Sequence, residues 1–221
     1  MPLIQYILAI LPGFVICFYV IKSDRYDPEP MGALLLSFIL GTLLILPAIL
    51  LGKLLYVDSN YFPYAVSNSF ISIALVEEGL KLALLITLFY NRSFFNEPFD
   101  GIIYSVMIGM GFATAENLLF AGQYNWDFFI QRAFTTELAH GAFSIIMGYY
   151  VGKSKAKPAY LRRRFILIAL LSSSVLHGIY DFFLMQHSFE NLYIFSIICL
   201  GVSSIIAFRF IQIQMHEPPF Q

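Results

Sequence analysis

Four stretches of this chain set acidic, basic and imidazole side chains inside otherwise apolar sequence. Ala74-Leu75-Val76-Glu77-Glu78-Gly79-Leu80-Lys81 places two adjacent carboxylates one helical turn before an amine. Glu116 and Asn117 close the run Gly111-Phe112-Ala113-Thr114-Ala115. Glu137 stands three residues before His140, and His177 four before Asp181. On a helix Glu77 and Lys81 share a face, as do His177 and Asp181, while Glu78 is turned about 100° from Glu77. A carboxylate held charged by a lysine can take a proton, and a second, protonated acid can carry one. With two histidines beside them, these groups have the makings of acid–base chemistry.

The elements that carry them are membrane spans. A bilayer core needs about 20 apolar residues per helix, and seven runs qualify: Leu3–Ile21, Gly32–Leu51, Val66–Tyr90, Gly101–Gly122, Phe129–Val151, Phe165–Met185 and Leu192–Ile213. The first lacks the basic flank and small-residue cleavage site of a signal peptide. The chain is 59% hydrophobic and only 12% charged, about half the charge of a soluble domain. The expected fold is an all-α polytopic membrane helix bundle of about seven transmembrane helices, a single domain over residues 1–221. The net charge of -1 is uninformative, and no run of like charges suggests a nucleic-acid partner. Cys17 and Cys199 sit in apolar runs and are too few for a disulfide framework.

Basic residues in short loops set the orientation. The connection between the fifth and sixth spans holds Lys153, Lys155, Lys157, Arg162, Arg163 and Arg164, which makes it cytoplasmic. Alternation then puts Lys22, Arg25, Arg92 and Arg209 inside and leaves Lys53 and Arg132 outside. The N-terminus is expected outside and the C-terminus in the cytoplasm. Counting inward from the outer helix ends at 1.5 Å per residue, Glu77 lies about 17 Å deep, His140 about 16 Å, His177 about 12 Å and Glu116 about 9 Å.

A charge at mid-membrane costs roughly 2.5–3.5 kcal/mol even on the lenient insertion scale. Four helices bring such groups to comparable depth, so they must face a shared interior or a wet cavity. Glu77 with Lys81 as a neutralising pair, and each histidine as a packed polar residue, would account for them singly but not for their convergence. Asn117 is equally suited to an interhelical hydrogen bond. Glu137 suits either a ligand role or pairing with Arg132. A transporter or proton relay also needs Asp, Glu and His in its spans, yet no pair of interrupted helices marks a midplane substrate site. A non-catalytic scaffold leaves the acids and histidines unexplained.

Taken together, Glu-Glu-x-x-Lys at 77–81, Phe99-Asp100-Gly101-Ile102-Ile103-Tyr104, Gly-Phe-Ala-x-x-Glu-Asn at 111–117, His140 and Leu176-His177-Gly178-x-Tyr180-Asp181 resemble the PrsW family of bacterial membrane proteases, distant relatives of the CaaX prenyl endopeptidases. Tyr26-Asp27-x-Glu29-Pro30 is similar to that family too, while Ser105 stands where a glycine is expected. The resemblance implies an endopeptidase in the bacterial cell membrane. It would make the first, extracytoplasmic-side cut in a single-pass membrane anti-sigma factor, part of a stress response leading to sigma-factor release. Carried onto this chain, the catalytic candidates are Glu77, Glu78, His177, His140 and Glu116, with Lys81, Asn117 and Asp181 in support. The preferred chemistry is a glutamate-activated water without a cofactor. His140 or His177 stabilises the oxyanion or protonates the leaving amine, Asp181 orients His177, and Asn117 donates to the substrate carbonyl. A zinc version would draw on His140, His177 and Glu116. It lacks a His-Glu-x-x-His signature and would set Lys81 against a dication.

Overall fold

A computed structural model describes residues 2–59, 61–121, 125–186 and 191–220. The seven expected spans correspond to seven helical rods, and no strand occurs among the described residues. They are α1 (Pro2–Ser23), α2 (Met31–Leu55), α3 (residues 62–89), α4 (Pro98–Phe120), α5 (Trp126–Lys155), α6 (Ala159–Met185) and α7 (Tyr193–Gln214). The expected end of the fourth span at Gly122 lies outside the described residues. Proline opens several of these rods. Pro63 and Pro98 occupy the first helical turn, where a missing N–H costs nothing. Asn125 caps α5 by accepting the Phe128 N–H at 3.0 Å.

Five of the rods, α1, α2, α4, α6 and α7, are long and apolar enough to cross a membrane. The other two, α3 and α5, are the ones that carry Glu77, Glu78 and Lys81, and Arg132, Glu137 and His140. The rods that do not qualify on composition are therefore among those bringing ionisable groups into the bundle. Large apolar side chains such as Phe14, Leu50, Leu54, Ile198 and Ile205 stand exposed on α1, α2 and α7, a surface suited to lipid rather than water. The chain is a multi-pass membrane protein.

α4 is the central post, packed on α1, α2 and α5 and buried along most of its length. Its approach to α5 depends on missing side chains. A Cβ on Gly148 would lie 2.3 Å from the Gly101 carbonyl oxygen, and one on Gly101 would lie 2.4 Å from that of Gly148. Small residues let membrane helices close to backbone contact in this way. α3 departs from a plain helix. Two π-helical segments, Asn68–Leu75 and Leu85–Phe89, flank the α-helical stretch Val76–Leu84. Each wider turn shifts the angular phase of the residues beyond it, and the stretch between them carries the glutamate pair.

Candidate active site

Helices α3, α4, α5 and α6 meet at a cavity of about 50 Å³ lined by Glu77, Glu116, Arg132, His140, His177 and Asp181, with Tyr180 and Phe143 among its walls. The two neighbouring glutamates divide as their 100° separation requires. Glu77 is partly open to the cavity, at 15% side-chain exposure, and its Oε2 has no hydrogen-bond partner among the described residues. Glu78 is sealed behind it. Its Oε1 accepts from Lys81 Nζ at 2.7 Å and pairs with His177 Nδ1 at 3.0 Å. Lys81 therefore serves Glu78 first and Glu77 only at 3.8 Å, a closer engagement with the i−3 residue than the shared stripe with Glu77 suggests. Its ammonium also lies 4.3 Å from the Phe112 ring centroid, a cation–π contact.

The histidines are held from both sides. His177 Nε2 meets Asp181 Oδ2 at 3.2 Å while Nδ1 meets Glu78. Each of its nitrogens thus faces a carboxyl oxygen. His140 Nδ1 lies 3.0 Å from Lys81 Nζ, and its Nε2 lies 3.1 Å from Glu116 Oε2. An ammonium only donates, so Nδ1 accepts and Nε2 donates. The imidazoles sit edge to face with centroids 5.0 Å apart, and Phe143 stacks on His177 at 5.3 Å. Glu116 is also tied to Arg132 Nη2 at 2.5 Å.

Two candidates lie elsewhere. Asn117 points away from the cavity, donating to Glu137 Oε1 at 3.2 Å and to the Ala133 carbonyl at 3.3 Å. Glu137 is fully buried with Asn117 and Thr114, and Arg132 pairs with Glu116 instead of with it. Arg132 itself was not among the candidates. A signal for it exists in the sequence, because 132, 136 and 140 form one i, i+4, i+8 stripe, and Thr136 lines the cavity as well.

Ligand atoms of Glu77, His140 and His177 all lie within 4.8 Å of one another. Two imidazoles and a carboxylate are the three protein ligands that a catalytic zinc takes, so the set suits that ion by type and spacing. The converging carboxylate is Glu77, whereas the zinc version read from the sequence draws on Glu116.

Residues 29–208 match the family described as PrsW family intramembrane metalloprotease, well over half of the chain. The chain belongs to the PrsW family. A protein named Protease PrsW from Clostridioides difficile is 37% identical over 192 residues, covering 84% of this chain and 81% of that protein. Proteins of the same name from Shouchella clausii and Bacillus subtilis are each 34% identical, over 84% and 80% of this chain and 85% and 80% of theirs. No solved structure matches the fold. Membership of the PrsW family makes the chain a membrane peptidase, and the cavity is where its acids and histidines come together.

Proposed function

We propose that this protein is an intramembrane endopeptidase that hydrolyses a peptide bond near the outer face of the membrane, making the first cut in a single-pass anti-sigma factor. The observation that carries the chemistry is Glu77: a carboxylate open to a polar cavity, with one oxygen that has no partner among the described residues, beside two fixed imidazoles. Glu77 takes a proton from water as the oxygen attacks the scissile carbonyl, and returns it to the amine as the C–N bond breaks. His177 is held between Asp181 and Glu78, and His140 between Lys81 and Glu116, so each ring has a set orientation and would exchange one of these contacts to donate to the developing oxyanion or leaving group. Glu78 and Lys81 form a buried neutral pair that positions this apparatus. Arg132 offsets the charge of Glu116 at the cavity edge.

Support for the outer-face assignment comes from the basic connection between α5 and α6: if that connection is cytoplasmic, the opposite end of the bundle, where Glu116, Arg132 and Asp181 lie, faces outward. The test is co-expression with candidate single-pass anti-sigma factors tagged at both ends. Fragments should correspond to a cut on the extracytoplasmic side of the substrate span. Uncut substrates across all candidates, or cuts only on the cytoplasmic side, would overturn the assignment.

One observation favours a second reading. The convergence of Glu77, His140 and His177, in a family described as metalloproteases, suits zinc. Those three residues would hold the ion, and when bound it would acidify a water and polarise the carbonyl. Against this, all four ring nitrogens already have partners, and ligation would require at least one contact of each histidine to be given up. Purified protein is expected to keep its cleavage rate after prolonged treatment with a strong zinc chelator. Loss of activity on chelation with recovery on added zinc would establish the second reading.

A further inference from the structure

A second gathering of acids, two of them fully buried, lies at the other end of α4, and the peptidase chemistry makes no use of it. Asp100 is sixteen residues from Glu116, roughly 24 Å along the helix. Around it stand Asp24, Asp27 and Glu29 from the α1–α2 connection and Glu97 from the residue before α4. Glu97 and Asp100 have no exposed surface. Asp100 Oδ2 is satisfied by the backbone N–H groups of Asn96 at 2.6 Å and Glu97 at 2.8 Å. The Tyr104 hydroxyl donates to Glu29 Oε2, and Asn96 Nδ2 donates to Asp27 Oδ2 at 2.7 Å.

Those bonds leave Asp24 Oδ1, Glu29 Oε1, Asp100 Oδ1 and both Glu97 oxygens without a donor among the described residues. The carboxyl of Glu29 faces that of Asp100, and the carboxyl of Glu97 faces that of Asp24. The neighbouring ammonium of Lys155 is committed to the Tyr90 carbonyl and lies over the Tyr90 and Phe95 rings at 5.0 and 4.9 Å. Carboxyl oxygens thus face one another across pairs that only a shared proton or a cation can bridge, an arrangement that is costly for buried charge.

We propose that the carboxylates of Asp24, Glu29, Glu97 and Asp100 bind a hard divalent cation of the Mg²⁺ or Ca²⁺ type. All-oxygen donors suit such ions, whose sites are built from carboxylates and completed by water, and the absence of imidazole or thiolate from the set disfavours softer metals. The bound ion clasps the α1–α2 connection to the start of α4. The C-terminal segment closes over the same place, with Phe220 N donating to the Asn96 carbonyl at 2.8 Å and the Tyr26 hydroxyl to that of His216 at 3.4 Å. One ion therefore joins two of the three chain segments that meet at this junction. The site is independent of the peptidase reading.

Full-length protein in detergent, stripped of metal, is heated with a thiol-reactive dye that reports exposure of Cys17 and Cys199, both buried in the fold. Mg²⁺ and Ca²⁺ are added separately. A saturable rise in midpoint of about 5–10 °C is expected at a hundredfold excess over the dissociation constant. Glu97→Gln and Glu29→Gln should lose the rise and Glu77→Gln should keep it. Equilibrium dialysis of the unaltered protein, which does not depend on any variant folding, should find one Ca²⁺ or Mg²⁺ per chain. Absence of both the midpoint rise and the bound ion would overturn the proposal and leave shared protons as the means of neutralisation. A rise retained by both Glu97→Gln and Glu29→Gln would overturn it as well.

Discussion

At the scale of single residues, adjacent acids in one sequence motif do different work because a helix points them apart. Glu77 opens into the cavity, whereas Glu78 is fully buried against Lys81 and His177. Lys81→Met removes the cation nearest to Glu78 and should lower stability by about 1–3 kcal/mol, read as a fall in the thermal unfolding midpoint. An unchanged midpoint would show that His177 alone suffices to balance Glu78. Asn117 and Glu116 make a sharper contrast, being neighbours in sequence with different surroundings. Asn117→Ala should leave substrate cleavage close to normal, since its amide serves Glu137. Glu116→Gln should depress cleavage strongly, since Glu116 orients His140 from the cavity wall. Equal losses in a gel-based cleavage assay would mean that the cavity extends to Asn117. The ionisable residues of this site were legible in the sequence because charge at mid-membrane depth is expensive and so stands out. Their partners were less so: the choice of Lys81 between i−3 and i−4 acids, and of Arg132 between Glu116 and Glu137, is made by neighbouring helices.

At the scale of elements, apolar runs marked seven rods, five of which are long and apolar enough to cross a membrane, while α3 and α5 are diluted by the ionisable residues they carry. The π-helical segments on either side of Val76–Leu84 left no such mark, since an i→i+5 bond requires no particular residue type. The α4–α5 contact was legible only as a scatter of glycines, and the structure shows which of them matter. Gly148→Ala would drive a methyl group to 2.3 Å from a backbone oxygen, and neither rigid helix can yield cheaply. It should destabilise the protein by about 1–3 kcal/mol, with less material accumulating in the membrane. Gly201→Ala, on α7 with nothing within 4 Å of the new atom, should be neutral or slightly stabilising by the same thermal measurement. Similar behaviour of the two variants would contradict close packing of α4 on α5.

At the scale of the whole molecule, the bundle has two polar centres at opposite ends of α4, one gathering Glu77, His140 and His177 and the other gathering Glu29, Glu97 and Asp100. Which end faces the cytoplasm decides where a substrate would be cut. A reporter fused after Lys157 should read cytoplasmic and one fused after Gln186 external, because the α5–α6 connection concentrates Lys and Arg. The reverse pattern would move the cleavage site to the inner face. The central claim is that Glu77 activates water at the cavity, and it is tested most directly by reconstituting purified protein with a cleavable single-pass substrate in liposomes. Cleavage is then compared between the unaltered chain and Glu77→Gln, with folding of both checked by their unfolding midpoints. The account predicts that Glu77→Gln, folded and present in equal amount, cleaves about 10²–10⁴-fold more slowly. Cleavage by Glu77→Gln at the rate of the unaltered protein would contradict it.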